Sequence, residues 1–169
     1  MQHAHLGVTL RAPERADVEA VLALNEADVP RVSSLDAQGL VQRIAWSATA
    51  RVAVVGGVVA GFVLALPTGC DYDSPNYRFF SSWGTRWHYI DRVAVAAEYR
   101  RRGIATALYD AVEDAARADG CTHVTCEVNV DPPNRPSLAF HAARGFVPVG
   151  EQKAHGLTVR LLARPLGAD

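Results

Sequence analysis

The stretch from His88 to Thr106, HYIDRVAVAAEYRRRGIAT, decides the fold. Its first residues, 88–96, are rich in β-branched and small apolar side chains, which is typical of a strand. Three arginines and a glycine follow, and an apolar stripe at helical spacing begins at Ile104. The start of a helix carries unpaired backbone N–H groups and a partial positive charge. Residues 100–103 therefore predict an anion cradle suited to a phosphate or pyrophosphate. A basic helix start that is merely solvated is the alternative interpretation.

Composition limits the classes of protein to consider. The chain has 169 residues, of which 49% are hydrophobic and 21% charged, and its formal charge is −1. One soluble domain over residues 1–169 is expected, and the balanced charge argues against a dedicated nucleic-acid binder. No apolar run reaches the roughly 18 residues of a membrane span. The N-terminus, Met1 to His5, lacks the features of a signal peptide, so a cytoplasmic location is expected. The three cysteines suit neither a disulfide framework nor a metal site.

The rest of the chain alternates between strand-like and helix-like patterns. Residues 51–66 are rich in valine and broken at Gly56-Gly57, which predicts a hairpin with a glycine turn. Residues 72–89 hold seven of the thirteen aromatic side chains without a clear period, which predicts an ordered loop. Further strands are predicted at 6–11, 122–128, 146–149 and 158–163, and helices after Pro13 and at 36–48, 104–120 and 135–144. This order predicts a mixed α/β layer architecture around one sheet.

A second pattern lies about thirty residues beyond the arginine turn. Residues 134–146, NRPSLAFHAARGF, predict a short helix that begins near Asn134 and ends at Gly145. Ser137 and His141 are one helical turn apart, so both are expected to face the same cleft as Asn134.

Together, the two segments resemble the GNAT acetyltransferase superfamily. Its pyrophosphate loop follows the pattern Arg/Gln-x-x-Gly-x-Gly/Ala, which Arg100, Gly103 and Ala105 match. Its later segment runs from an asparagine, here Asn134, through small and aromatic residues to a Gly-Phe pair. The run 126–134 also resembles a bacterial subgroup of predicted acetyltransferases. The resemblance covers nearly the whole chain and implies an α/β, GNAT-like (acyl-CoA N-acyltransferase) fold. Such a fold has a central mixed, mostly antiparallel sheet flanked by helices.

The resemblance implies acetyl-CoA as the donor and CoA as the product. The strand that ends near Val95 and the strand that starts at Thr122 would splay apart to form a slot. Backbone groups of the first strand would pair with the pantetheine arm at Val93, Ala94 and Val95. The basic turn and the helix start would hold the pyrophosphate through Arg100, Arg101, Arg102, Gly103, Ile104, Ala105 and Thr106. The later helix would contact the donor through Asn134, Ser137 and His141.

The implied reaction is direct attack of an amine on the thioester. It needs a deprotonated amine, a polarised carbonyl and a proton for the thiolate. Backbone N–H groups near Val93 to Val95 would polarise the carbonyl. The family's usual proton donor is a tyrosine, and His141 occupies that position; a purely structural or cofactor-contacting role is the alternative. Asp91 and Glu127, on the two flanking strands, are the candidate bases, with His88 as a third. An amine of low pKa would need no base.

The acceptor is expected to be a small-molecule or peptide amine. It would contact the aromatic segment and the link between the first two helices, at Asn25, Tyr77, Phe80 and Trp83. Packing of the aromatics within the segment or across a homodimer is the alternative. No nucleic-acid, membrane or metal partner is expected. Two other functions fit the same residues: a non-catalytic acyl-CoA-binding or sensory domain, and a nucleotide-phosphate binding protein of another class.

Overall fold

The computed structural model of the chain describes residues 7–84 and 86–167. Its strands are β1 (Val8–Arg11), β2 (Thr49–Val55), β3 (Val58–Leu66), β4 (Trp87–Val95), β5 (His123–Asp131), β6 (Val147–Ala154) and β7 (Leu157–Pro165). Its helices are α1 (Val18–Ala27), α2 (Ala37–Trp46), α3 (Pro75–Ser81), α4 (Ile104–Ala118) and α5 (Arg135–Ala143). Short 3-10 turns lie at Arg15–Asp17 and Ala97–Tyr99.

The seven strands form one sheet in the order β1-β2-β3-β4-β5-β7-β6. The pairs β1/β2, β2/β3, β5/β7 and β6/β7 are antiparallel, whereas β4 and β5 are parallel. The prediction of a mixed, mostly antiparallel sheet in an α/β fold is therefore confirmed.

The valine-rich hairpin forms where the sequence predicted it. Val55 pairs with Val58 across the turn, and the φ angles of Gly56 and Gly57 are 56° and 81°. These left-handed angles are the reason that two glycines occupy the turn.

The aromatic segment differs from the prediction of a loop over 72–89. Its middle forms α3, whose N-cap is Ser74, with Pro75 in the first turn. The Ser74 side chain accepts a hydrogen bond from the N–H of Tyr77 at 3.5 Å. Proline at a helix start loses no hydrogen bond, so this serine–proline pair favours a helix. The predicted first strand also begins two residues later than expected, at Val8, and residue 6 lies outside the described residues.

The described residues form two compact units. The first unit comprises residues 7–65 and 92–112, and the second comprises 66–91 and 113–167. In the first unit, α1 and α2 pack on the sheet through apolar side chains. The buried members of this core are Val21, Leu40, Val52, Phe62, Leu64 and Ala94. Trp46, at the end of α2, is half-buried in the same unit.

The second unit has an aromatic core and a buried ionic cluster. Tyr77 and Phe80 of α3 are 1% and 0% exposed, and both pack against Trp87 and Tyr89 of β4. Glu113 of α4 is 3% exposed and lies 2.8, 3.4 and 4.0 Å from the guanidinium groups of Arg144, Arg164 and Arg117. A carboxylate at this depth requires such partners, because burying an unpaired charge is costly.

Candidate active site

The loop that joins β4 to α4 contains two left-handed backbone positions. The φ angle of Arg101 is 60° and that of Gly103 is 79°. Such angles are rare for residues with a side chain and readily adopted by glycine. A Cβ placed on Gly103 would meet no heavy atom of the described chain within 4 Å. The loop therefore leaves open space for a ligand beside the backbone of Gly103.

Positive charge surrounds this backbone. Three exposed side chains of the loop are Arg100, Arg101 and Arg102. The Nε of Arg100 donates to the carbonyl of Val95 at 3.2 Å, and the guanidinium of Arg102 lies 5.4 Å from the ring centre of Tyr99. The first N–H groups of α4 have no partner inside the helix. Together, the guanidinium groups and the helix start create a positive potential that suits a phosphate or pyrophosphate.

The end of β4 is held close to β3 within the first unit. A Cβ on Gly61 would lie 3.0 Å from the carbonyl oxygen of Ala94, a closer approach than most side chains make, which favours glycine here. The N–H of Ala96 donates to a carbonyl of β3 at 2.8 Å. Val93 and Val95 are half-buried. The residues predicted to pair with pantetheine thus lie at the end of β4, whose position is fixed by contacts with β3.

In the second unit, two tyrosine hydroxyls contact the two carboxylates predicted as bases. The parallel pairing of β4 with β5 spans Trp87 to Tyr89 on β4. The Tyr89 hydroxyl donates to Oε2 of Glu127 at 2.6 Å. The Tyr72 hydroxyl donates to Oδ1 of Asp91 at 2.8 Å. We call these four side chains, Tyr72, Tyr89, Asp91 and Glu127, the tyrosine–carboxylate cluster.

Electrostatics links the members of this cluster. Tyr89 is 1% exposed, and burial raises the pKa of its hydroxyl well above its usual range. The negative charges of Glu127 and Asp91 raise it further. Tyr89 therefore stays protonated at neutral pH and donates its hydrogen bond to Glu127. The other three side chains of the cluster, Tyr72, Asp91 and Glu127, are half-buried and therefore more accessible to solvent than Tyr89.

His88, the third candidate base, has a different environment. It is 2% exposed, and its Nε2 lies 2.9 Å from Oδ2 of Asp119. Burial lowers the pKa of the imidazole, and the charge of Asp119 only partly opposes this effect. Nδ1 is buried and has no hydrogen-bond partner among the described residues. This geometry fits a histidine that joins β4 to the end of α4 rather than a base open to an amine.

The helix α5 brings Asn134, Ser137 and His141 together, as the spacing predicted. The Asn134 side chain caps the helix by accepting from the N–H of Ser137 at 3.4 Å. Nδ1 of His141 lies 2.7 Å from the carbonyl oxygen of Ser137 and 3.2 Å from its hydroxyl. His141 is 4% exposed, and burial lowers its pKa. At neutral pH the ring is therefore mostly uncharged, with Nδ1–H donating to Ser137.

The predicted acceptor residues are less accessible than expected. Asn25, Tyr77 and Phe80 are 1%, 1% and 0% exposed. The Tyr77 hydroxyl donates to the carbonyl of Pro67 at 2.6 Å, which fixes the chain before α3. Side chains buried to this extent pack the core, and the contact of these three with the acceptor stays a prediction. Trp83 is half-buried, and its ring centre lies 4.9 Å from that of His123.

Sequence reasoning missed Tyr72, Tyr89 and Arg92. Tyr89 could have been found, because it alternates with Asp91 on one face of a strand. The contact between Tyr72 and Asp91 joins residues 19 positions apart, and no local pattern indicates it. Arg92 follows Asp91 on the other face of the strand with no local signal of a role, yet it is 3% exposed and hydrogen-bonded.

The described part of the chain contains no group of three or more side chains that could together bind a metal ion. None of the described helices combines the length and the apolar character needed to cross a membrane. Cys70, Cys121 and Cys126 form no disulfide with one another.

Comparisons with known proteins identify the family. A model of the acetyltransferase (GNAT) family matches residues 20–146. An N-alpha-acetyltransferase of Saccharolobus solfataricus is 28% identical, and the match covers 94% of this chain and 93% of the relative.

Solved structures share the fold. Ard1 from Thermoplasma volcanium superposes with a TM-score of 0.77 at 19% identity, over 95% of this chain and 99% of that chain. Arabidopsis thaliana Naa50, solved with the bisubstrate analogue CoA-Ac-MVNAL, gives a TM-score of 0.73 at 16% identity, over 93% and 97% of the two chains. Because the family model spans more than half of the sequence, the chain belongs to the GNAT acetyltransferase family and is an acyltransferase.

Proposed function

We propose that the protein transfers an acetyl group from acetyl-CoA to the α-amino group of a peptide or protein. The observation that carries the donor assignment is the loop before α4, with its left-handed Gly103 and its exposed arginines. The acceptor class draws on the relative named N-alpha-acetyltransferase, which matches nearly the full length of the chain.

The donor loop fits a pyrophosphate in shape and in charge. A Cβ at Gly103 would occupy the open space that a phosphate needs to approach the backbone. Backbone N–H groups from Arg101 to Thr106 would hold the phosphate oxygens, and the three arginines would neutralise their charge. Asn134, Ser137 and His141 remain proposed contacts of the donor on α5.

Acetyl-CoA supplies a thioester carbonyl that an amine can attack. The N–H groups of Val93 to Val95 are proposed to align the donor and to polarise this carbonyl. Because β3 fixes this part of β4, these donors are pre-positioned and need little reorganisation. The sheet thus serves as the support for the proposed oxyanion contacts.

The tyrosine–carboxylate cluster is proposed to remove the proton from the amine. Glu127 is the preferred base, because Tyr89 holds one of its oxygens at 2.6 Å and so fixes the orientation of the carboxyl group. Asp91, held by Tyr72, is the second candidate. An α-amino group has a pKa of about 8, whereas a lysine amine has a pKa of about 10.4. Deprotonation of the α-amine is therefore easier by about 3 kcal/mol, which favours this acceptor for a carboxylate base.

His141 is proposed to assist the departing thiolate. Its lowered pKa makes the imidazolium a minor species at neutral pH. A proton for the thiolate would therefore first have to reach the ring from solvent water, while the proton of the amine goes to the carboxylate base. This role predicts that the His141 contribution becomes larger as the pH is lowered.

Calorimetry of the purified protein with acetyl-CoA, CoA and ATP tests the donor assignment. Micromolar binding of acetyl-CoA with much weaker binding of ATP supports it, while equal binding of ATP would favour a nucleotide-phosphate site. Acetyl transfer is then measured with a peptide set that carries each amino acid at position 1, beside N-terminally blocked lysine peptides. Transfer to blocked lysine peptides alone would refute the α-amine acceptor. Binding without any transfer would instead support a non-catalytic acyl-CoA-binding protein.

Homodimer formation is part of the proposal, and sedimentation of the purified protein tests it. A monomer at micromolar concentration would contradict this assembly and leave the proposed reaction unchanged.

A further inference from the structure

Arg92 is a buried cation that binds the chain between α1 and α2. Its side chain is 3% exposed within the first unit. Nη1 donates to Oδ1 of Asn25 at 2.8 Å and to the carbonyl of Ser33 at 2.7 Å. Nη2 donates to the hydroxyl of Ser33 at 2.8 Å. The two terminal nitrogens of one guanidinium thus hold both the end of α1 and a residue eight positions further on.

A second layer of hydrogen bonds extends from this contact. Nδ2 of Asn25 donates to the carbonyl of Ser33 at 3.0 Å. The carboxylate of Glu26 accepts from the Ser34 hydroxyl at 2.9 Å and from the N–H of Leu35 at 3.0 Å. The hydrogen bond from Leu35 is the main cause of a lowered pKa of Glu26. The carboxylate is therefore charged at neutral pH and keeps both contacts.

The segment that receives these bonds, residues 28–36, begins with a turn in which the N–H groups of Arg31 and Val32 donate to the carbonyl of Asp28 at 2.8 and 3.3 Å. It contains no helix or strand, and Val29 is 40% exposed. Leu35 is its apolar contact with the core of the first unit. Hydrogen bonds to a charged group are among the stronger ones in proteins. The position of residues 33–35, which follow the turn, therefore depends on the guanidinium of Arg92 and on the carboxylate of Glu26.

We propose that Arg92 is a positioning residue for the acceptor. By holding residues 28–36 in one conformation, it sets the affinity for the amine substrate without touching the reacting atoms. Its neighbour Val93 belongs to the proposed donor strand, so one short stretch of β4 serves both substrates. This inference rests on the proposed function and on the prediction from the sequence that the link between α1 and α2 contacts the acceptor.

The test compares four variants. Arg92→Met removes the charge and the three donated bonds described above, whereas Arg92→Lys keeps the charge but loses the planar fork that reaches Asn25 and Ser33 together. Ser33→Ala removes one bond and leaves the charge of Arg92 in place. Arg31→Met is the matched control, because Arg31 lies in the same segment but is exposed and pairs with Asp28 at 3.1 Å in an exposed contact.

Two readouts separate positioning from a general loss of structure. The first is hydrogen exchange of residues 28–36, which should become at least about tenfold faster in Arg92→Met and stay unchanged in Arg31→Met. The second is steady-state kinetics with the peptide that the wild-type enzyme acetylates fastest. KM for this peptide should rise about tenfold or more in Arg92→Met, with kcat and the Kd of acetyl-CoA within about threefold. Arg92→Lys and Ser33→Ala should give smaller increases in the same direction.

Unchanged exchange in residues 28–36 of Arg92→Met would overturn the proposal. Equal losses in kcat and in acetyl-CoA affinity would also overturn it, because they indicate a merely structural role. If Arg92→Met does not fold, hydrogen exchange of residues 28–36 and steady-state kinetics are measured on Ser33→Ala and Arg92→Lys, and these two variants then support or overturn the proposal. If the wild-type enzyme acetylates none of the peptides, the α-amine acceptor is refuted, and hydrogen exchange alone then supports or overturns the holding role of Arg92.

Discussion

The loop before α4 and the tyrosine–carboxylate cluster carry opposite charges and hold them in different ways. In the loop, the arginines are exposed and the shape depends on left-handed backbone angles at Arg101 and Gly103. In the cluster, the shape depends on side-chain hydrogen bonds of 2.6 and 2.8 Å, one of them from the buried Tyr89. The comparison indicates that the proposed donor site depends on local backbone, whereas the proposed base depends on contacts across the sheet.

The largest expected effect is the loss of the base in the cluster. Glu127→Gln should lower kcat/KM by about 10²–10⁴, the usual contribution of a general base, and abolish the limb of the pH profile that rises toward alkaline pH. Asp91→Asn should keep that limb. Asp114→Asn is the matched control, because Asp114 is an exposed carboxylate of α4 in the same unit.

Two outcomes of this experiment would change the assignment. Loss of the rising limb in Asp91→Asn alone would make Asp91 the base. Retention of the limb in both variants would show that the amine arrives unprotonated and that the cluster only orients it.

The next effect in size concerns the loop. Gly103→Glu should weaken acetyl-CoA binding by at least about 100-fold, since a side chain at this φ is strained and its negative charge opposes the pyrophosphate. Calorimetry measures this change. Gly57→Glu is the control, because its φ of 81° and open surroundings match those of Gly103 in a turn without a proposed ligand. Equal affinity in both variants would refute the cradle.

A smaller effect is expected for His141. His141→Phe should lower kcat about tenfold or more while changing the Kd of acetyl-CoA much less, because the ring is proposed to handle a proton and not to anchor the donor. The difference in kcat from wild type should widen as the pH falls from 8 to about 6. Unchanged kcat across this range would remove His141 from the proton path and leave it as a helix residue bonded to Ser137.

The smallest effect is a pH dependence of stability that belongs to the second unit. Burial lowers the pKa values of His88 and His141 in the folded chain, so the unfolded chain binds more protons once the pH drops below about 6.5. The free energy of unfolding should therefore fall on acidification, from about pH 6.5 down to the folded-state pKa values. Urea titrations at pH 7.5 and 5.5 measure the change.

His88→Leu should reduce this acid sensitivity, because it removes the proton-binding ring and leaves the half-exposed Asp119 in contact with solvent. His155→Asn is the control, since His155 is exposed and its φ of 53° is one that asparagine tolerates. Identical sensitivity in His88→Leu and wild type would assign the effect to other groups.

The contrast between local backbone structure and contacts between distant residues also explains which features could be predicted from the sequence. The glycine turn at 56–57 and the Arg-Gly loop before α4 are local, so a short window of residues predicts them. The helix α3 also had a local signal, the Ser74-Pro75 pair, which the density of aromatic residues obscured. Tyr77 and Phe80 lie three positions apart, and on a helix this spacing turns both toward the core.

The remaining contacts depend on residues far apart in the chain. Arg92 meets Asn25 and Ser33 at separations of 67 and 59 residues, and Tyr89 meets Glu127 at a separation of 38. Neither hydrophobic periodicity nor motif spacing predicts a contact between residues so far apart in the sequence. Only the three-dimensional arrangement shows that Asn25 joins Arg92 to the carbonyl of Ser33.

The distribution of tryptophans gives each unit its own optical reporter. Trp46 lies in the first unit, while Trp83 and the 2% exposed Trp87 lie in the second. Trp46→Phe therefore restricts tryptophan fluorescence to the second unit, and replacing Trp83 and Trp87 together restricts it to the first. Emission spectra recorded during urea titration of these two variants then show whether both units lose their structure at the same denaturant concentration or one after the other.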